Sequence, residues 1–234
     1  MTTIQAQVKN IVIVHGAFAD GSGWENVYTI LKSRGYTVTM VQNPLSSLED
    51  DVAATARILE KQDGPGILVG HSWGGVVITQ AGSSPKVAGL VYVAAFVPDA
   101  GESALDLIKK AAPDPDNGIL PPDANGWIWY DKTKFHVGFA ADVSAEKAAF
   151  MYASQAPIAV KCFVTPLTNA AWKTKPSWAI VATEDKSISP DLERTMYKRA
   201  GAVVTEISGS HALYITKAKQ VADVIEAAAK AAGK

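Results

Sequence analysis

The chain has 234 residues, enough to bury a large single core without disulfide or metal staples. Its 22 basic and 23 acidic side chains leave a formal charge of −1, so no general field draws it to nucleic acid or to an anionic membrane. The single cysteine, Cys162, excludes a disulfide scaffold and a zinc site built on cysteine clusters.

Short β-branched runs alternate with helix-length segments. Residues 11–14 (Ile-Val-Ile-Val) form the first predicted strand, followed by a helix over 23–34 and a strand over 38–41 that Asn43-Pro44 closes. Residues 1–10 carry no apolar leader, and the longest apolar runs, 11–14 and 87–97, fall far short of the roughly 18 residues of a spanning helix, so the expected address is the cytoplasm. A helix over 48–62 opens on Glu49, Asp50 and Asp51, negative charge that suits the positive end of a helix dipole. Strand 66–70, helix 73–83 and the apolar strand 87–96 follow. After an interruption come strand 178–181, helix 190–200, strand 203–207 and a helix over 216–232, in which Val221, Val224, Ile225 and Ala228 mark a core-facing stripe. Continuously apolar strands separated by helices mean an α/β fold with a mostly parallel sheet covered on both faces.

The interruption, residues 98–175, holds Pro113, Pro115, Pro121 and Pro122, a helical stretch at 144–155, and nine of the chain's 19 aromatic residues. A mostly irregular segment cannot bury that many rings by itself. Two readings are compatible: an insertion with its own small core, and a lid in which Trp127, Trp129, Phe135, Phe139, Phe150 and Tyr152 face a pocket.

Gly70-His71-Ser72-Trp73-Gly74-Gly75 contains G-x-S-x-G between a predicted strand and a predicted helix, the setting that holds a serine out on a sharp turn. The following helix N-terminus adds positive potential for a developing oxyanion. A serine nucleophile needs a base, and the chain has four histidines. His71 lies inside the turn, His15 shapes the turn after the first strand, and His136 lies in the insertion. His211 follows the strand 203–207, at the carboxyl end of a parallel sheet where reactive groups gather. An acid to orient it should follow another strand and precede it; Asp185 is the first choice and Glu184 the alternative. His15-Gly16-Ala17-Phe18, after the first strand, suits the second half of an oxyanion hole, with the amide of Ala17, favoured over that of Phe18, joining the amide of Trp73. The Phe18 ring is a further candidate for the pocket wall.

Taken together these residues resemble the α/β-hydrolase superfamily over nearly the whole chain, in the order Ser72, Asp185, His211. Within it, the stretches His15-Gly-Ala-Phe-Ala-Asp-Gly-Ser-Gly-Trp24 and Gly70-His-Ser-Trp-Gly-Gly75 are similar to the branch of small bacterial esterases, plant methyl esterases and hydroxynitrile lyases. The resemblance implies a core from residues 1–97 and 176–234 with the lid at 98–175, and no metal or other cofactor. It also implies Ser72 as nucleophile, His211 as base and Asp185 as orienter. Lyases of this branch carry a lysine directly after the histidine and a threonine after the first strand's histidine; Ala212 and Gly16 stand at those places, which argues against cyanohydrin cleavage. The expected activity is hydrolysis, through an acyl-enzyme, of a small to medium apolar or aromatic carboxylic ester by a monomer or homodimer. The alternatives are the same triad turned on amides, lactones or C–C bonds, and a non-catalytic small-molecule receptor.

Overall fold

Valine and isoleucine fill the central strands because a strand covered on both faces has no polar side to present. The computed structural model describes residues 8–233, so the reading of a missing leader falls, as far as residue 7, outside the described residues. The first half runs β1 (Asn10–Val14), α1 (Glu25–Ser33), β2 (Thr37–Val41), α2 (Leu48–Glu60), β3 (Gly66–Ser72), α3 (Gly74–Ala81) and β4 (Val87–Ala95). The insertion contributes α4 (Ala104–Ile108), β5 (Trp127–Ile128), α5 (Phe135–Phe139), α6 (Ala145–Ala153), β6 (Ile158–Ala159) and α7 (Val160–Val164). The chain ends with β7 (Ser177–Ala182), α8 (Pro190–Arg199), β8 (Val203–Ile207), α9 (Leu213–Thr216) and α10 (Ala218–Ala232).

Six strands form one parallel sheet in the order β2-β1-β3-β4-β7-β8. Right-handed crossovers then place the helices. The step from β1 to β2 runs one way across the sheet and puts α1 on one face; the steps out of β2, β3 and β7 run the other way and put α2, α3 and α8 on the opposite face. α10 packs on α1, where Arg34 pairs with Asp223 at 2.8 Å and Glu226 at 3.0 Å. On the other face Tyr197 of α8 stacks against Tyr92 of β4, whose hydroxyl lies 3.0 Å from Thr79 of α3.

Two elements differ from the expectation. β8 is the outermost of the described strands, and Val203 and Val204 stay 61% and 41% exposed. The buried stripe of α10 is Ala218, Val221, Ala222, Ile225, Ala228 and Ala229, with Val224 turned partly outward. Alanine carries little hydrophobic signal, which is why the face is read about one residue off its true centre. Among the described residues no helix is long and apolar enough to cross a membrane.

Between β4 and β7 the insertion crosses the carboxyl edge of the sheet. Its backbone is tied to core loops by Phe18 N–H donating to the Ala156 carbonyl (3.0 Å) and Ala159 N–H to that of Leu45 (2.8 Å). It has a core of its own in which Phe135 stacks on Phe139 at 5.0 Å and meets Tyr130 at 5.4 Å and Tyr152 at 5.8 Å edge-on. Phe135 is therefore enclosed by rings on three sides, while Trp129 is 41% exposed. Phe135→Ala is expected to cost about 3–5 kcal/mol in denaturant unfolding, and Trp129→Ala no more than about 0.5 kcal/mol. Equal losses would show that the insertion has no core centred on Phe135.

Candidate active site

The elbow is built from close backbone contact. β3 continues two residues past its expected end, through Ser72, and α3 starts at Gly74. Reversing direction in so few residues puts Ser72 at φ +53°, a left-handed conformation that costs a non-glycine residue energy and persists only where the surroundings fix it. Here they do. A Cβ on Gly70 would lie 2.5 Å from the Gly74 carbonyl oxygen, and one on Gly74 would lie 2.3 Å from that of Val14. Only glycine at both positions lets the turn nest against the end of β1.

That nesting brings the loop after β1 to the serine. Ala17, Phe18, Ser72 and Trp73 all border one cavity, and the amides of Ala17 and Trp73 donate to no protein group among the described residues. The Phe18 amide is engaged by Ala156, which removes it as an oxyanion donor. His15 holds the loop: Nδ1–H donates to the Gly16 carbonyl (2.8 Å), and Nε2 accepts from Asn43 N–H (2.9 Å). Burial lowers its pKa, so the ring is neutral and structural.

His211, on the loop after β8, directs Nδ1 at Asp185 Oδ2, 2.6 Å away, with both side chains buried. The other Asp185 oxygen accepts from Ser187 N–H (2.7 Å) and Ile188 N–H (2.9 Å), so the carboxylate is fixed at both ends. Glu184 instead accepts from the Ser208 hydroxyl at the surface. With Nδ1 committed, Nε2 is the ring nitrogen left for the side where His211 and Ser72 border the same cavity. His71 points away from it. Its Nε2–H donates to the His211 carbonyl at 2.9 Å, and burial followed by the neighbouring His211 holds its pKa well below the usual imidazole value. His136, the second residue of α5, is bonded instead to the Val143 carbonyl (3.0 Å).

The cavity measures about 450 Å³, within the range of small-molecule sites. Of the rings expected in its wall, Phe18 and Phe139 are there, Phe139 edge-on to His211 at 5.0 Å. Five are not. Phe135 and Tyr152 belong to the core of the insertion, and Trp127 lies outside the wall on the β5–β6 ladder. Trp129 is a surface residue near Asp123. Phe150 is 64% exposed under the Lys147 ammonium, because only Ala148 of α6 is buried. Composition announces a cluster of rings but not which way each one turns. The wall also takes residues the sequence reading did not select: Leu105, Ile119, Ile128 and, on α7, Val160, Phe163 and Val164. The i, i+3, i+4 spacing of the α7 trio was the available signal.

The sequence marks Asp51 of α2 only as a partner for the helix dipole, yet it braces the elbow. Fully buried, it accepts from Trp73 Nε1–H (2.7 Å) and from Leu45 N–H (2.8 Å). Burial is the larger influence on its carboxyl, outweighing these bonds and raising its pKa to about 6.

A family model described as "Alpha/beta hydrolase family" matches residues 11–224. A carbendazim hydrolyzing esterase of Nocardioides sp. (strain SG-4G) is 33% identical over 120 residues, 45% of this chain and 50% of that protein. Methylesterase 7 of Arabidopsis thaliana is 30% identical over 139 residues, 53% of this chain and 50% of that protein. The matched region thus spans about half the length of these curated relatives. Among solved structures, a pyrethroid hydrolase from Sphingobium faniae JZ-2 superposes with a TM-score of 0.81 at 25% identity, covering 96% of this chain and 98% of that one.

The raised Asp51 pKa carries a signed consequence. Between about pH 4, where an unfolded aspartate titrates, and pH 6, the folded protein holds a proton the unfolded chain has released. The stability from that proton is fully present below the unfolded value and lost as pH rises through about 6. Unfolding free energies of wild type and Asp51→Asn are therefore expected to diverge in favour of wild type as pH falls from 7 to 5, and a difference flat over that interval would contradict the raised value.

Proposed function

Because the chain belongs to the alpha/beta hydrolase family, we propose that it is a serine hydrolase of neutral, apolar carboxylic esters, working through an acyl-enzyme on Ser72. The observation that carries this reading is the strained Ser72 sharing a cavity with a histidine whose Nδ1 is fixed by a buried aspartate 2.6 Å away. The names of the relatives, an esterase and a methylesterase, support ester bonds over amides.

His211 Nε2 takes the Ser72 proton as Oγ bonds to the ester carbonyl carbon, while Asp185 keeps the ring in the productive tautomer and stabilises the imidazolium. The carbonyl oxygen becomes an oxyanion held by the amides of Ala17 and Trp73, an arrangement worth about 3–4 kcal/mol per donor. Collapse of the tetrahedral intermediate expels the alcohol, protonated by His211, and leaves Ser72 acylated. Water, deprotonated by the same nitrogen, then releases the acid and restores Oγ–H.

Substrate class follows from the wall. Among the described residues it contains no lysine, arginine, aspartate or glutamate, and its polar members are Ser72, Asn117, Ser187 and His211. A charged group would lose its hydration there without a partner, so neutral apolar acyl and alcohol groups fit best. The segment carrying Phe139 and Phe163 then serves as the lid.

Ser72→Ala is expected to lower kcat for a good ester by several orders of magnitude and to abolish labelling by a fluorophosphonate, with Ser72→Ala/His211→Ala scarcely worse, because the groups act as a unit. A tenth of wild-type turnover surviving in Ser72→Ala would sink the assignment. Phe163→Ala, which removes a ring from the wall, is expected to shift preference across a p-nitrophenyl ester series towards longer acyl chains. Phe150→Ala should leave that preference unchanged; a shift of equal size in both variants would place the selective wall elsewhere.

A further inference from the structure

One buried acidic group lies next to the proposed triad without a part in it. Glu193, on the first turn of α8, is fully enclosed, and one carboxyl oxygen, Oε2, accepts from Ala182 N–H at 3.2 Å. The other, Oε1, is buried and has no donor among the described residues. Among the described residues no cation is bonded to it, and Arg194 acts on it only at a distance. Arg194 turns outward to Asp191 (2.7 Å) and Glu206 (2.8 Å). The ionisable groups facing Glu193 are Asp185 from the β7–α8 loop and Tyr197 one turn along α8, with Tyr92 of β4 stacked behind. Tyr197 spends its hydroxyl oxygen as an acceptor for Ala95 N–H at 2.8 Å.

The buried Glu193 and Asp185 carboxyls face each other within reach of a hydrogen bond, but neither oxygen pair brings a donor of its own. Two carboxylates cannot make that bond; a single proton between them can, and it also gives the orphaned Oε1 a partner. The local backbone enforces the meeting: Asp185 N–H donates to the Ala182 carbonyl (3.2 Å), and Ala182 N–H donates to Glu193, so one tight turn presents both acids to each other.

We propose that Glu193 is held as a neutral carboxylic acid whose hydroxyl donates to Asp185, making it a positioning residue for the Asp185–His211 pair. The inference rests on the hydrolase reading above for its consequence, though not for its chemistry. Burial first, and the Asp185 charge second, push the Glu193 carboxyl well above the ordinary glutamate range, which agrees with the neutral form. Asp185 then accepts from four donors: Ser187 N–H, Ile188 N–H, His211 Nδ1–H and the Glu193 hydroxyl. The last of these spreads the carboxylate's charge, so that Asp185 orients the imidazole without over-stabilising its protonated form. Were Glu193 ionised, two buried negative charges would lie beside His211 and hold it protonated, the form that cannot accept the Ser72 proton.

Two substitutions separate the roles. Glu193→Gln keeps a donor and an acceptor in the same shape; Glu193→Met keeps most of the volume and has neither. Infrared spectra of the whole protein at neutral pH should contain the carbonyl stretch of a buried protonated carboxylic acid that Glu193→Gln removes. The acid limb of the kcat/KM profile, and the titration of the His211 ring followed by NMR, should stay in place in Glu193→Gln and move up by roughly one pH unit in Glu193→Met, about tenfold in kcat/KM below the limb. Absence of the infrared band, a downward move of the limb in Glu193→Gln, or identical profiles in the two variants would each overturn the proposal. If Glu193→Met does not fold, the band and the Glu193→Gln titration decide alone. Neither the spectra nor the ring titration needs a substrate, so a failure to hydrolyse esters would count against the function and leave the Glu193 result standing.

Discussion

The site depends on how closely two stretches of backbone approach each other. The loop after β1 and the turn after β3 come into contact at Gly74 and Val14, with less room between them than a methyl group occupies. That contact sets three things at once: the left-handed backbone of Ser72, the exposure of its side chain to the cavity, and the placement of two undonated amides beside it. Neighbouring parallel strands put the two loops side by side at the carboxyl edge of the sheet, and β1 and β3 are neighbours in register from Asn10↔Gly66 to Val14↔Gly70. The sheet order supplies the proximity and the glycines permit it.

Around this contact burial pushes several ionisable groups towards their uncharged forms. His15 and His71 are neutral by burial, and burial also raises the Asp51 and Glu193 carboxyls. Each secures a group next to the cavity: His15 the loop after β1, His71 the loop carrying His211, Asp51 the Trp73 ring and the Leu45 amide, and Glu193 the Ala182 turn. Polar groups suit this work better than apolar ones because a hydrogen bond fixes direction as well as distance, and the neutral form avoids the desolvation penalty of a charge.

The sheet and the elbow were legible in the sequence because they rest on local patterns. β-branched runs mark the strands, and G-x-S-x-G between a strand and a helix carries its own geometric reason. Asp185 was separable from Glu184 only in three dimensions, since adjacent residues differ in which way they face and not in spacing from the strand. The wall of the cavity was the least legible part. Trp129 and Phe150 are as aromatic as Phe139, but the fold of an irregular segment decides which ring turns inward, and no periodicity encodes it. Glu193 gave no signal at all, because a glutamate in a charged-looking helix such as Pro-Asp-Leu-Glu-Arg reads as solvated surface.

The three proposed reacting groups do not sit on equally secure ground. Ser72 ends β3 and Asp185 follows β7, both interior strands, whereas His211 is delivered by β8, the outermost strand, four of whose five residues are exposed. Strand ends at a sheet margin open at lower free energy than its centre. Fraying from that margin would release the base while the serine and its acid stay in the native core. Inactivation by heat or mild denaturant could then be a local and reversible event, with most of the fold still intact when turnover stops. Arg194, bonding Glu206 through Nε at 2.8 Å and Nη2 at 2.9 Å, ties that margin to α8 through a surface ion pair.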